Sequence, residues 1–183
     1  MNSKDTEVIK AAGRIISISG TKGLSLNALL NEPEIKGKNF LDKFKDEEDI
    51  YEILLINFEI ELIELFVNVA KEGNKPDAEI ELLFKKLYAL FEARPWYLSL
   101  IFDYNLQQRY AWFENSILRI RKSARSYLID LIARGKKEKI FKTSLNTNLL
   151  VKGILVSFRS LMNDYQLGQK VISDIKRLQK SQD

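Results

Sequence analysis

Cysteine and histidine are both absent from this 183-residue chain. Without thiols there can be no disulfide framework, thiolate zinc site or cysteine nucleophile. Without imidazole there can be no Ser-His-Asp triad, histidine-ligated zinc or iron, or imidazole acid–base step. Proline is scarce as well. Pro33, Pro76 and Pro95 are the only three, so long helices can run between them. Alternating apolar and polar residues bounded by turn signals, the mark of strands, are missing. The most apolar stretch, residues 50–69, is interrupted by Glu52, Glu59, Glu61 and Glu64, which makes it too costly a membrane span. Residues 2–7 are polar and lack the apolar core of a signal peptide. The expectation is an all-α, cytoplasmic protein that touches no membrane and is not an enzyme, with no metal and no cofactor.

Charge is present and unevenly placed. Residues 1–50 hold eight basic and nine acidic side chains, for −1; residues 51–105 carry −5, and residues 106–183 carry +10. A basic excess suggests an anionic partner. Its position in the C-terminal half sets it apart from the N-terminal segment considered next.

Along the chain, Val8, Ala12, Ile15, Ile16 and Ser19 recur at helical spacing from Asp5 to Ser19, and Gly20 stops them. Ser25 can cap a brief second helix with the apolar face Leu26, Leu29 and Leu30. Pro33 breaks it, and a third short helix is expected around Lys36–Leu41. Asp46 caps a long helix with Glu47, Glu48 and Asp49 in its positive first turn. That helix has the core face Ile50, Ile53, Leu54, Phe58, Leu62, Leu65, Phe66 and Val69. Further helices are expected over Asp77–Ala93, from about Asn105 to Arg134 with Gly135 closing it, from Asn146 to Gly168, and over Val171–Lys180. The total is about nine. The boundary falls near Ile50, giving an N-terminal three-helix unit (1–49) and a C-terminal helical bundle (50–183).

Three short helices followed by a long one suit a helix-turn-helix reader of the major groove. The residues resemble the TetR (tetracycline-repressor) family of transcriptional regulators. Ser25-Leu26-Asn27-Ala28-Leu29-Leu30 is similar to that family's second helix. Ile35 falls at its turn valine, Phe40-Leu41-Asp42-Lys43-Phe44 at its Leu-Tyr-x-x-Phe, and Glu48 with Ile50 at the opening of its fourth helix. The spacing from Leu29 to Phe44 is the family's own. Four positions depart from the pattern: Pro33 and Glu34 stand at the turn Ala-Gly, Leu41 at a phosphate-meeting tyrosine, and Glu47 at a lysine. The apolar skeleton is kept while several phosphate-contacting residues are replaced.

The resemblance implies a homodimer that binds palindromic double-stranded DNA and responds to a small apolar ligand. Ser25, Lys36, Gly37, Lys38, Asn39, Lys43 and Lys45 are the DNA-binding candidates, since lysine reaches phosphate and asparagine can read adenine. Ten of the nineteen aromatic residues lie between Phe84 and Phe113. Phe66, Phe84, Tyr88, Phe91, Trp96, Tyr104 and Trp112 are the ligand candidates, with ordinary core packing as the alternative for each ring. Leu150, Gly153, Ile154, Ser157, Phe158, Leu161 and Tyr165 form a stripe that fits a dimer interface.

Two other groups carry less. Arg119, Arg121, Lys122 and Arg125 form a basic run on a helix, which is what a solvated face looks like. Glu61 and Glu64 lie one helical turn apart, but with no histidine or second acidic pair they do not make a metal or hydrolytic site. The competing reading is a TetR-fold small-molecule or protein-binding module that has lost specific DNA binding, favoured by Glu34, Leu41, Glu47 and the −1 charge of residues 1–50.

Overall fold

The computed structural model describes residues 3–35, 44–142 and 144–177. These form ten α-helices and one 3-10 turn, with no strand among the described residues. The helices are α1 (Ser3–Ser19), α2 (Leu26–Leu30), α3 (Glu47–Lys71), α4 (Pro76–Ala93), α5 (Trp96–Ile101), α6 (Tyr104–Arg109), α7 (Ala111–Lys137), α8 (Thr147–Val156), α9 (Phe158–Asn163) and α10 (Tyr165–Arg177); the 3-10 turn is Thr21–Gly23. The expected third helix around Lys36–Leu41 lies outside the described residues.

Several helix ends follow local chemistry. Gly20, at φ 69° and ψ 179°, takes a positive-φ conformation that glycine tolerates where α1 ends, and its N–H donates to the Ile16 carbonyl at 2.9 Å. Gly73, at φ 63°, does the same after α3. Asp46 accepts the Asp49 N–H at 3.2 Å at the start of α3. Pro76 opens α4, where its missing N–H would have had no partner.

The chain groups into two compact units, Met1–Glu61 with Phe91–Ile117, and Leu62–Leu90 with Leu118–Asp183. In this grouping the segment from Phe91 packs with the N-terminal helices. In the first unit Trp96 covers Gly13 of α1 so closely that a methyl group there would lie 2.5 Å from Trp96 Cε2. Tyr97 is fully buried, and its hydroxyl oxygen accepts a hydrogen bond from Asn57 Nδ2 at 2.5 Å. Val8, Ala12, Ile16, Leu29, Ile35, Ile50, Leu54 and Phe58 complete a close-packed core.

The second unit is centred on Leu62, Val69, Ile80, Leu83, Phe84, Leu131, Ile132, Val151 and Leu161. A deeply buried carboxylate there, Glu79, accepts from the Tyr127 hydroxyl at 2.8 Å and from Arg134 at 2.7 and 2.8 Å. A buried charge needs this kind of satisfied pairing. Burial, and then the hydrogen bond to Glu79, push the Tyr127 hydroxyl well above its ordinary range.

Four helix boundaries differ from expectation. Tyr110 is extended, so α6 and α7 are separate and the long helix begins at Ala111. Gly135 does not close α7, which runs on to Lys137. Its role is steric: Phe141 folds back over it, and a methyl group at Gly135 would overlap the ring. The expected helix from Asn146 to Gly168 is divided at Ser157 and Asp164. Asp164 ends one helix and accepts the Leu167 N–H at 3.1 Å to cap the next. The last helix therefore starts at Tyr165, not Val171.

Candidate nucleic-acid interface

α1, the 3-10 turn and α2 form the start of the expected helix-turn-helix. Ser25 is extended, and its side chain accepts the Ala28 N–H at 3.1 Å, so this candidate spends its hydroxyl on capping α2. The Leu26 N–H donates to Glu47 at 3.3 Å, tying α2 to the first turn of α3. Thr21 is buried and held from two sides: its hydroxyl bonds the Asp103 carboxylate, and its carbonyl accepts the Tyr51 hydroxyl at 2.8 Å. Burial, then the nearby Tyr110 and Asp103, push the Tyr51 hydroxyl up to about 12.

The unusual turn residues have a structural role. Glu34 takes Arg14 of α1 in a two-oxygen contact at 2.8 and 2.9 Å, and Glu32 meets the same guanidinium at 2.9 Å. Two carboxylates around one guanidinium clamp the end of the α2 turn to α1. The hydrogen bond that Arg14 donates to Glu34 raises the guanidinium's pKa. Pro33 and Glu34, which depart from the family pattern, thus sit beside a lock of this chain's own. Glu47 and Glu48 are also engaged: Glu47 by Leu26, and Glu48 by the Trp112 indole N–H.

Among the DNA-binding candidates, Ser25 and Lys45 are described, and Lys45 is exposed. Lys36, Gly37, Lys38, Asn39 and Lys43 lie outside the described residues. The seven ligand candidates divide between the units. Phe91 packs on Phe58 with centroids 5.9 Å apart, Trp96 lies on α1, and Trp112 stacks on Tyr110 at 5.9 Å, all in the first unit. Tyr104 is there too but is 68% exposed, on the outer surface of α6. Phe66 stacks on Tyr127 at 4.7 Å and Phe84 is buried in the second unit. There Tyr88 donates to the Leu161 carbonyl and packs edge-on to Tyr165 at 4.8 Å.

The interface candidates divide by depth. Ile154 and Leu161 are buried within the second unit, and Leu150 and Phe158 are half-buried. Gly153, Ser157 and Tyr165 are exposed. The apolar row open to solvent on α8 is instead Leu149, 59% exposed, and Val156, 77% exposed, with nothing within 4 Å of a methyl group built on Gly153.

Two polar features of the first unit are not among the sequence candidates. Asn57 joins Glu61 at 2.9 Å to Tyr97, and Arg94 meets Glu61 at 3.2 Å. The other oxygen of Glu61, like the Trp96 indole nitrogen, is buried with no hydrogen bond among the described residues. Burial, then the Glu61 charge, raise the Tyr97 hydroxyl far above its ordinary range. A signal existed: Asn57 is a polar residue amid an apolar helical face, and Glu61 follows one turn later. The second feature is an open cleft of about 440 Å³ lined by Thr21, Lys22, Glu47, Tyr51, Asp103 and Arg109 among others. No group of three or more metal-ligating side chains occurs among the described residues, and no described helix is long and apolar enough to cross a membrane.

No protein-family model and no curated protein matches the sequence. Solved structures do. The ketosteroid transcriptional regulator KstR2 of Mycobacterium tuberculosis superposes with a TM-score of 0.75 at 19% identity, covering 97% of both chains. The fatty acid degradation regulator FadR from Bacillus halodurans gives 0.71 at 15% identity, over 96% of this chain and 92% of its own. A TetR-family transcriptional regulator from Syntrophomonas wolfei gives 0.69 at 14% identity, over 96% and 94%. With TM-scores of 0.69 to 0.75 over 96–97% of its length, this chain has the all-α fold of the TetR-type transcriptional regulators.

Proposed function

We propose that the chain is a ligand-responsive transcriptional repressor that binds palindromic operator DNA as a homodimer. The observation that carries the reading is a likeness to a transcriptional regulator over 97% of both chains. In this reading residues 1–49 read the operator through Lys36, Lys38, Asn39, Lys43 and Lys45, and residues 50–183 bind the effector and dimerise. One short reading helix binds weakly, whereas two on a twofold axis match a palindrome. The exposed Leu149 and Val156 on either side of the open Gly153 support a second copy packing on α8.

The effector is a small apolar molecule. Two of the similar structures are named for ketosteroids and for fatty acid degradation, and the concentration of aromatic side chains suits such ligands. Repression is relieved when the effector favours a conformation with lower DNA affinity. The protein acts in the cytoplasm, where its operator is.

The competing reading, a module of this fold that has lost operator recognition, draws on Glu34. A carboxylate clamped to Arg14 occupies the turn and takes one cation of α1 out of play for phosphate. The test is selection of bound fragments from the source genome by the purified protein. Enrichment of one palindromic site, lost on Lys38→Ala or Asn39→Ala, supports the repressor. Recovery without sequence enrichment, or no recovery at low salt, favours the competing reading.

A further inference from the structure

The cleft in the first unit brings unlike charges together without pairing them. Asp103 is committed to the Thr21 hydroxyl and to the N–H groups of Asn105 and Leu106, at 2.8 and 3.0 Å. Glu47 accepts from the Leu26 N–H. Lys22 and Arg109 line the same cleft and are exposed, yet neither forms an ion pair among the described residues. Arg109 lies instead over the Tyr110 ring, 5.0 Å from its centroid. The carboxylates are thus occupied by neutral donors, while the two cations remain available. A space of about 440 Å³ is within the range that holds a small metabolite.

We propose that this cleft is a second effector site, separate from any apolar chamber, that binds a small metabolite bearing a carboxylate or phosphate group between Lys22 and Arg109. Guanidinium and ammonium groups make charge-assisted hydrogen bonds to such oxyanions. Asp103 and Glu47 line the same cleft and accept hydroxyl or ammonium groups of the same ligand. The position also gives the site a consequence. Thr21 and Lys22 of its lining belong to the turn Thr21–Gly23, which leads directly into the capped start of α2 and is pinned by Tyr51 and Asp103. Occupancy therefore stiffens the connection from which α2 starts. If that helix serves DNA binding, anion and DNA affinities are coupled with equal magnitude in both directions.

The binding itself is tested without DNA, so its outcome is independent of the repressor reading. Inorganic phosphate and citrate are titrated into the full chain by calorimetry at physiological salt. The proposal expects one saturable site per chain for at least one probe. Both Lys22→Ala and Arg109→Ala should weaken it at least about tenfold, as loss of one charged hydrogen bond should, whereas Lys10→Ala, at an exposed position of α1, should leave it unchanged. Both cleft positions are exposed, so the variants should keep the wild-type melting curve. Absence of saturable binding by either probe up to about 10 mM, or equal affinity in both cleft variants, overturns the proposal. So does the pattern in which the two substitutions weaken DNA binding but leave anion binding intact, since the cations then serve DNA phosphates.

Discussion

Gly13→Ala sets two effects of known sign against each other. Alanine is the better helix former by about 1 kcal/mol in a helix interior, so propensity alone predicts a more stable protein. The packing predicts the reverse. The new methyl would meet Trp96 Cε2, Cδ2 and Cζ2 at 2.5, 2.7 and 2.8 Å, where carbon atoms normally rest about 3.5–4.0 Å apart. The whole indole must move by about 1 Å, and it begins α5 directly after Pro95, a poor place from which to shift. Overpacking of this kind costs about 1–3 kcal/mol. The balance is a net loss of about 1 kcal/mol, which lowers the midpoint of thermal unfolding by about 2–4 °C for a chain of this size. The assay is thermal or urea unfolding followed by circular dichroism at fixed protein concentration, in a double-mutant cycle with Trp96→Leu. In that background the indole is gone, and Gly13→Ala should stabilise by about 1 kcal/mol. A stabilising Gly13→Ala in the wild-type background would refute the close contact between α1 and α5.

Two further predictions concern a titration and a surface. Tyr51, pushed up to about 12 from its ordinary 10, keeps its proton in the folded protein where the unfolded chain loses it. Its contribution to stability is thus present below pH 10 and is lost as pH rises toward 12. Absorbance titration of tyrosinate should show Tyr51→Phe removing a component near pH 12, and loss of a component near pH 10 would contradict the burial. At the other end of the chain, Leu149→Asp or Val156→Asp should convert a dimer into monomers in sedimentation velocity without lowering helix content, because both side chains are solvent-exposed in the protomer. Unchanged association would move the interface away from α8.

Local signals made much of this fold legible. Gly20, Ser25, Asp46 and Pro76 sit at helix ends where their conformational or capping chemistry puts them. Of the core face read along the long helix, Ile50, Leu54, Phe58, Leu62, Phe66 and Val69 are buried, while Ile53 and Leu65 are half-buried. What escaped the sequence depends on partners far along the chain. Gly135 reads as a helix terminator until Phe141 is seen lying on it, and Asp164 reads as a helix interior until its cap to Leu167 appears. The polar cleft and the Asn57–Tyr97 bond join residues 82 and 40 positions apart respectively, and no periodicity reports such pairings. Glu34 departs from the family pattern in sequence, and only the position of Arg14 gives it a role. The aromatic cluster was visible as composition, but its division between two compact units and the exposure of Tyr104 were not.

The central claim is operator recognition, and the most direct measurement is selection of genomic fragments by the purified chain, followed by titration of the recovered site at two salt concentrations. The account predicts one palindromic sequence bound by two protomers, with Lys38→Ala and Asn39→Ala abolishing its enrichment and Lys36→Ala and Lys43→Ala weakening binding and reducing its salt dependence. Fragments recovered without a common sequence, or none recovered at low salt, would contradict it.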